Sequence, residues 1–180
     1  MKKLRAALVV SCLLSPSCYD FEFPLDPKPQ LPVDARLLGA WRCLGQQSDL
    51  DDPPAVLRIA LSTDTVARWS FESPSNDGTL EKSEYDVHAS SVPGGALLNA
   101  VELGQKSNGR WNLVRYSFLL PSVLRVQLVK DEPFGKAKDA ASLRKEVEKR
   151  KDDPAIYSDF LICVRPKPSS SPSPPAPPSR

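Results

Sequence analysis

The sequence predicts a mainly β protein: an eight-stranded antiparallel up-and-down β-barrel with one α-helix before its last strand. Three observations point there. Between residues 35 and 165 apolar side chains recur with a period of two. The alternating stretches are divided by short Gly, Asn, Asp and Pro clusters, which join antiparallel neighbours rather than crossovers. A single segment of helical period stands just before the final alternating run. A β-sandwich is the alternative that the same pattern allows.

At the N-terminus, Lys2, Lys3 and Arg5 make a positive start, and Ala6 to Leu14 an apolar core. Ser15-Pro16-Ser17 then sets small residues two apart before Cys18. This is the layout of an export signal, residues 1–17. Its core is too short for a bilayer, which takes about 20 apolar residues, and charged residues interrupt every later hydrophobic run.

The stretch "LLSPSC", Leu13 to Cys18, resembles the lipobox of bacterial lipoproteins, where apolar and small residues precede a cysteine that is acylated and becomes the new N-terminus. Ser15 stands where lipoboxes usually place Leu. The rival Val9-Val10-Ser11-Cys12 has better spacing, but its apolar core, Ala6 to Val10, falls short of the roughly 7–15 residues of a signal. The resemblance implies lipidation at Cys18 and a place in the cell envelope, on the outer membrane facing periplasm or exterior. Plain secretion after a cut at the same bond is the alternative.

Cysteine parity bears on that choice. Cys12 leaves with the signal, and a disulfide between Cys43 and Cys163, at opposite ends of the folded region, leaves Cys18 as the odd thiol. An exposed free thiol is a liability in an oxidising compartment, whereas a lipidated one is not. Loss of Lys2, Lys3 and Arg5 takes 24 basic against 22 acidic residues to 21 against 22, a formal charge of −1. Neither net charge nor interleaved aromatic and basic residues then favours a nucleic-acid partner.

Residues 18–34 are proline-rich without a regular hydrophobic period and read as the lipid anchor and a semi-extended tether. The barrel domain follows over 35–165. Its strands are expected at Leu38–Gln46, Ala55–Ser62, Thr65–Glu72, Leu80–Ser91, Ala96–Leu103, Arg110–Leu120, Val123–Lys130 and Tyr157–Arg165. Leu57, Ile59 and Leu61 share one face, as do Ala67, Trp69 and Phe71, and Tyr85, Val87 and Ala89. In Arg110–Leu120 both faces carry apolar residues, which predicts cover on both sides. The cover is "DAASLRKEVEKRK", with Asp139 as N-cap, Ala140, Leu143 and Val147 on one stripe and basic residues in the last turn. Residues 166–180, Pro/Ser-rich, are expected to be a disordered tail.

Gly39-Ala40-Trp41 at the start of the first strand resembles the G-x-W motif that opens lipocalins and related calycin barrels. The resemblance implies that Gly39 turns the chain into the barrel and Trp41 closes its floor. A later T-D-Y-type motif is not found, and the helix precedes the last strand instead of following the eighth. In a closed barrel the first and last strands pair, which lets Cys43 and Cys163 face each other across the seam.

Little in the chain spells out a reaction. His88, the only histidine, is expected on a solvated polar face, and neither a multi-histidine zinc site nor Cys/His nucleophilic chemistry has its residues. Asp49, Asp51 and Asp52, and Asp152 and Asp153, lack EF-hand spacing and read as solvated turn acids, and Glu146 with Arg150 as a surface pair. No enzyme, cofactor or metal is expected. The ligand-binding candidates are the aromatic set Trp41, Trp69, Phe71, Tyr85 and Trp111, with Arg115; Arg115, Arg125 and Gln127 pointing inward would indicate a polar-headed ligand. The expectation is a membrane-anchored, non-enzymatic lipoprotein binding a small apolar ligand or lipid. The alternative is a cell-envelope structural or protein-interaction lipoprotein with a filled barrel core.

Overall fold

A computed structural model describes residues 19–45, 53–75, 79–104 and 109–167. Nine strands are present among them: β1 (Asp20–Phe21), β2 (Gly39–Gly45), β3 (Ala55–Leu61), β4 (Ala67–Pro74), β5 (Leu80–Val92), β6 (Gly95–Glu102), β7 (Trp111–Leu120), β8 (Val123–Val129) and β9 (Tyr157–Val164). Helix α1 spans Ala140–Arg150, and short 3-10 turns cover Ala35–Leu37, Glu132–Phe134 and Pro154–Ile156. Strands β2 to β9 form a closed antiparallel ring in the order β7-β6-β5-β4-β3-β2-β9-β8, completed by pairing of β8 with β7. The barrel is therefore realised, and the sandwich alternative is not.

Ring closure is covalent. Cys43 stands opposite Cys163 in the β2–β9 ladder, and the two form a disulfide. In the β5–β6 hairpin Pro93 and Gly94 make the two-residue connection, with Gly94 at φ 87°, a value suited to glycine. An extra residue on β9, Phe160, shifts the register so that Asp159 opposes Gln127 while Leu161 opposes Val126.

Alternation along the strands builds two cores. Trp41, Leu57, Ile59, Trp69, Val87, Leu98, Val114, Leu124, Val126 and Leu161 fill the barrel. The opposite faces of β5 to β9 carry a second set, Val92, Leu97, Leu113, Val129 and Tyr157, which would be stranded in water without cover. Leu143 and Val147 of α1 provide part of it. Asp139 caps that helix by accepting from the Ser142 N–H at 2.7 Å, as the sequence predicts. The i,i+4 ion pair on α1 is Arg144–Glu148 rather than Glu146–Arg150.

The segment read as a tether behaves differently from that expectation. Residues 19–34 lie on the barrel as a strap: Phe21 and Leu25 are buried in the outer core, and β1 pairs with Trp111 and Asn112. Strand β1 takes the edge of β7 beyond Val114, where pairing with β8 has ended. The burial of two large apolar side chains, worth roughly 1.5–3 kcal/mol each, offsets the ordering that a proline-rich segment otherwise resists.

Candidate functional site

The barrel floor is built around Trp41, which is fully buried. Gly39, at φ 113°, turns the chain into β2. The Trp41 indole N–H donates to the Leu37 carbonyl at 2.8 Å, tying the 3-10 turn Ala35–Leu37 across the barrel end. Arg165, just past β9, lays its guanidinium 4.4 Å from the Trp41 ring centroid and donates to the Arg36 carbonyl at 2.6 Å. Arg36 in turn sits over Phe118 and forms a bidentate pair with Asp34. Hydrogen bonding from Arg36 holds the Asp34 carboxyl below the usual carboxylate range. The Tyr116 hydroxyl donates to Asp34 at 3.1 Å, and burial, reinforced by that carboxylate, pushes its pKa up to about 12.

Above this floor lies a pocket of about 80 Å³, lined by Leu31, Pro32 and Val33 of the strap together with Trp69, Leu98 and Tyr116. Ligand pockets usually measure roughly 300–1,000 Å³, and among the described residues the interior is largely filled by side chains. The one donor in it without a partner among the described residues is the buried indole N–H of Trp69.

The sequence-derived candidates divide between the two faces of the wall. Trp41 and Trp69 are inside, with Phe71 and Tyr85 half-buried against the same core. Burial pushes the Tyr85 hydroxyl above its ordinary value. Trp111 and Arg115 are outside: Trp111 packs in the outer core with its ring edge-on to His88 at 5.5 Å, and Arg115 lies 4.6 Å from the Tyr157 ring centroid. Arg125 and Gln127 do not point inward either, because both hydrogen-bond Asp159 on the outer surface. A polar-headed ligand held by these three residues is therefore not supported.

His88 corrects the sequence reading most. Its side chain is buried, with Nε2 at 2.9 Å from the Asp26 carbonyl, an acceptor only, so Nε2 carries the hydrogen. Beside it Asn99, opposite His88 in the β5–β6 ladder, is fully buried and accepts from the Leu25 N–H at 2.7 Å. Its amide nitrogen donates to Ser90 Oγ and the His88 carbonyl. Arg144 reaches from α1 to Asp26 at 2.6 Å. His88 and Asn99 thus grip the strap's main chain, Ser90 orients Asn99, and Arg144 holds the Asp26 carboxylate. Their sequence signal was the placement of His88, Ser90 and Asn99 on the same outer face as apolar Val92 and Leu97, a face too apolar for free solvation.

Asp49, Asp51 and Asp52 lie outside the described residues, as do Cys12 and Cys18. Asp152 pairs with Lys151, and Asp153 caps the turn Pro154–Ile156. No group of three or more His, Cys, Asp or Glu that could hold a metal occurs among the described residues. Comparison of the chain with protein-family models, curated proteins and solved structures finds no match.

Proposed function

We propose that this chain is an exported lipoprotein, acylated at Cys18 and anchored in the cell envelope, on the outer membrane facing periplasm or exterior, whose barrel is a non-enzymatic scaffold acting through its surface. The observation that carries the reading is the filled interior: a pocket of about 80 Å³ is left where a ligand-carrying barrel needs several times that space. The groups that carry chemistry elsewhere are committed to packing. His88 holds the strap, Asp34 is locked to Arg36, and the disulfide occupies Cys43 and Cys163. Outside, Leu44 and Ile162 are register partners and are exposed together with Val164 at the seam, beside Arg42. An apolar surface cluster of this kind is a feature of interaction proteins.

One observation favours a second reading, in which a small apolar molecule occupies the pocket. The unpartnered Trp69 N–H would then donate to an acceptor on that molecule. Native mass spectrometry of protein released gently from its membrane separates the two. A complex with a second polypeptide and no small molecule is the expected result. A barrel carrying one discrete small molecule and no polypeptide contradicts the filled-scaffold reading and supports the ligand.

A further inference from the structure

We infer that the strap clamps the anchoring point to the barrel wall, so that a lipid surface meets the β1–β7 end of the barrel directly instead of at the end of a spacer. The inference rests on acylation of Cys18 as proposed above. Four independent contacts hold the strap down: Phe21 and Leu25 in the outer core, Leu25 N–H on Asn99, Asp26 between His88 and Arg144, and the β1–β7 ladder. The last contact lies next to the anchor in sequence. Asn112 Nδ2 donates to the Tyr19 carbonyl at 3.0 Å and to Asp20 Oδ1 at 3.0 Å. Tyr19, the residue that follows Cys18 in the chain, is thus fixed on β7, and consecutive Cα atoms are only about 3.8 Å apart.

The consequence is large on the scale of the molecule. Residues 19–34 as a free, extended tether reach about 50 Å, enough to hold the barrel well clear of a bilayer. Bound to the wall they contribute no reach. The acyl chains therefore leave the protein beside Trp111 and Asn112, and that end sits at the headgroups. Asp20 and Glu22 flank the exit, with Arg110 at 3.6 Å from Glu22. Among the described residues the charges at this exit are the acids Asp20 and Glu22 and the paired Arg110, so attachment is by acyl chains and orientation by the strap.

The test couples the mature chain, beginning at Cys18 and retaining the Cys43–Cys163 disulfide, to maleimide-phosphatidylethanolamine in a supported phosphatidylcholine bilayer. Neutron reflectometry then measures the gap between headgroups and barrel. A second protein carries a 16-residue Gly/Ser insertion between Cys18 and Tyr19, which leaves every strap contact intact. The insertion is expected to widen the gap by roughly 20 Å, the mean span of such a flexible chain. Equal gaps in the two proteins, with the unmodified barrel standing tens of Å from the headgroups, would overturn the inference. Because the lipid is attached chemically, this outcome is independent of whether cells acylate Cys18, which decides the proposed function instead.

Discussion

The main-chain N–H of Leu25 and the side-chain oxygen of Asn99 meet at 2.7 Å in the outer core, a contact between residues 74 positions apart that fastens the strap to the barrel. Both partners are buried, so neither can turn to water when the other is removed. Asn99→Ala is expected to cost about 1–3 kcal/mol, the penalty for a buried donor left unpaired. Urea unfolding measures it, and hydrogen exchange should show the Leu25 amide losing protection. An unchanged stability with a still-protected amide would contradict the grip.

Joining Cys43 to Cys163 closes a loop across a sequence separation of 120 residues. Loop-closure entropy sets the stabilisation near 4–5 kcal/mol. The double variant Cys43→Ala/Cys163→Ala should therefore unfold at a much lower guanidinium concentration, and reduction of the wild type should reproduce the shift. Matching midpoints for oxidised and reduced protein would exclude the disulfide as a brace of the seam.

Much of this architecture is legible in the sequence alone. Period-two runs located the eight ring strands, because each has one face in the barrel core, and the capped stripe of Leu143 and Val147 located α1. The strap was not legible, since Phe21 and Leu25 sit among prolines without a period and show their purpose only against a surface from elsewhere in the chain. For the same reason His88 reads as solvated, and Ser90 and Asn99 carry no reading at all: alternation says which residues share a face, not what will cover it. Trp111 and Arg115 were grouped with the inner aromatics because β7 is apolar on both sides, and the strand's covered outer face accounts for the misplacement. The lining of the floor by Arg36 and Arg165 left no trace either, as cation–π contacts depend on three-dimensional approach alone.

The floor network makes stability sensitive to pH at both extremes. Tyr116 is favoured as the neutral phenol, so its contribution is complete below the ordinary tyrosine value, about 10, and is lost as pH rises through about 12. Asp34 behaves oppositely: its lowered pKa gives stability present above the ordinary aspartate value, about 4, and lost as pH falls through the folded value. Tyr116→Phe should flatten the alkaline limb of a melting-temperature profile, leaving a residue from Tyr85 and Tyr157, whose pKa values burial also raises. Asp34→Asn should flatten the acid limb. Parallel profiles for variant and wild type would show that these groups do not titrate with unfolding.

Asp131 is a built-in weakness. Its Oδ1 is buried without a hydrogen-bond partner among the described residues, and burial, outweighing backbone N–H bonds from Asp131 and Glu132 to the carboxyl, raises its pKa. The favourable contribution of the protonated acid is complete below the ordinary aspartate value and is lost as pH rises through the higher folded one. Asp131→Asn, which cannot ionise, should melt at a higher temperature than wild type at pH 7 and at the same temperature near pH 3. A lower melting temperature at pH 7 would mean that the backbone bonds to the carboxylate outweigh its burial.

The proposed anchorage at Cys18 would join the export signal, the parity of the remaining cysteines and the strap that holds Tyr19 against β7. Its most direct measurement is the mass of the N-terminal peptide of protein isolated from its native membrane. The expected result is a peptide beginning at Cys18 and carrying acyl chains on that residue. An unmodified N-terminus in a protein recovered wholly from the aqueous fraction would contradict it.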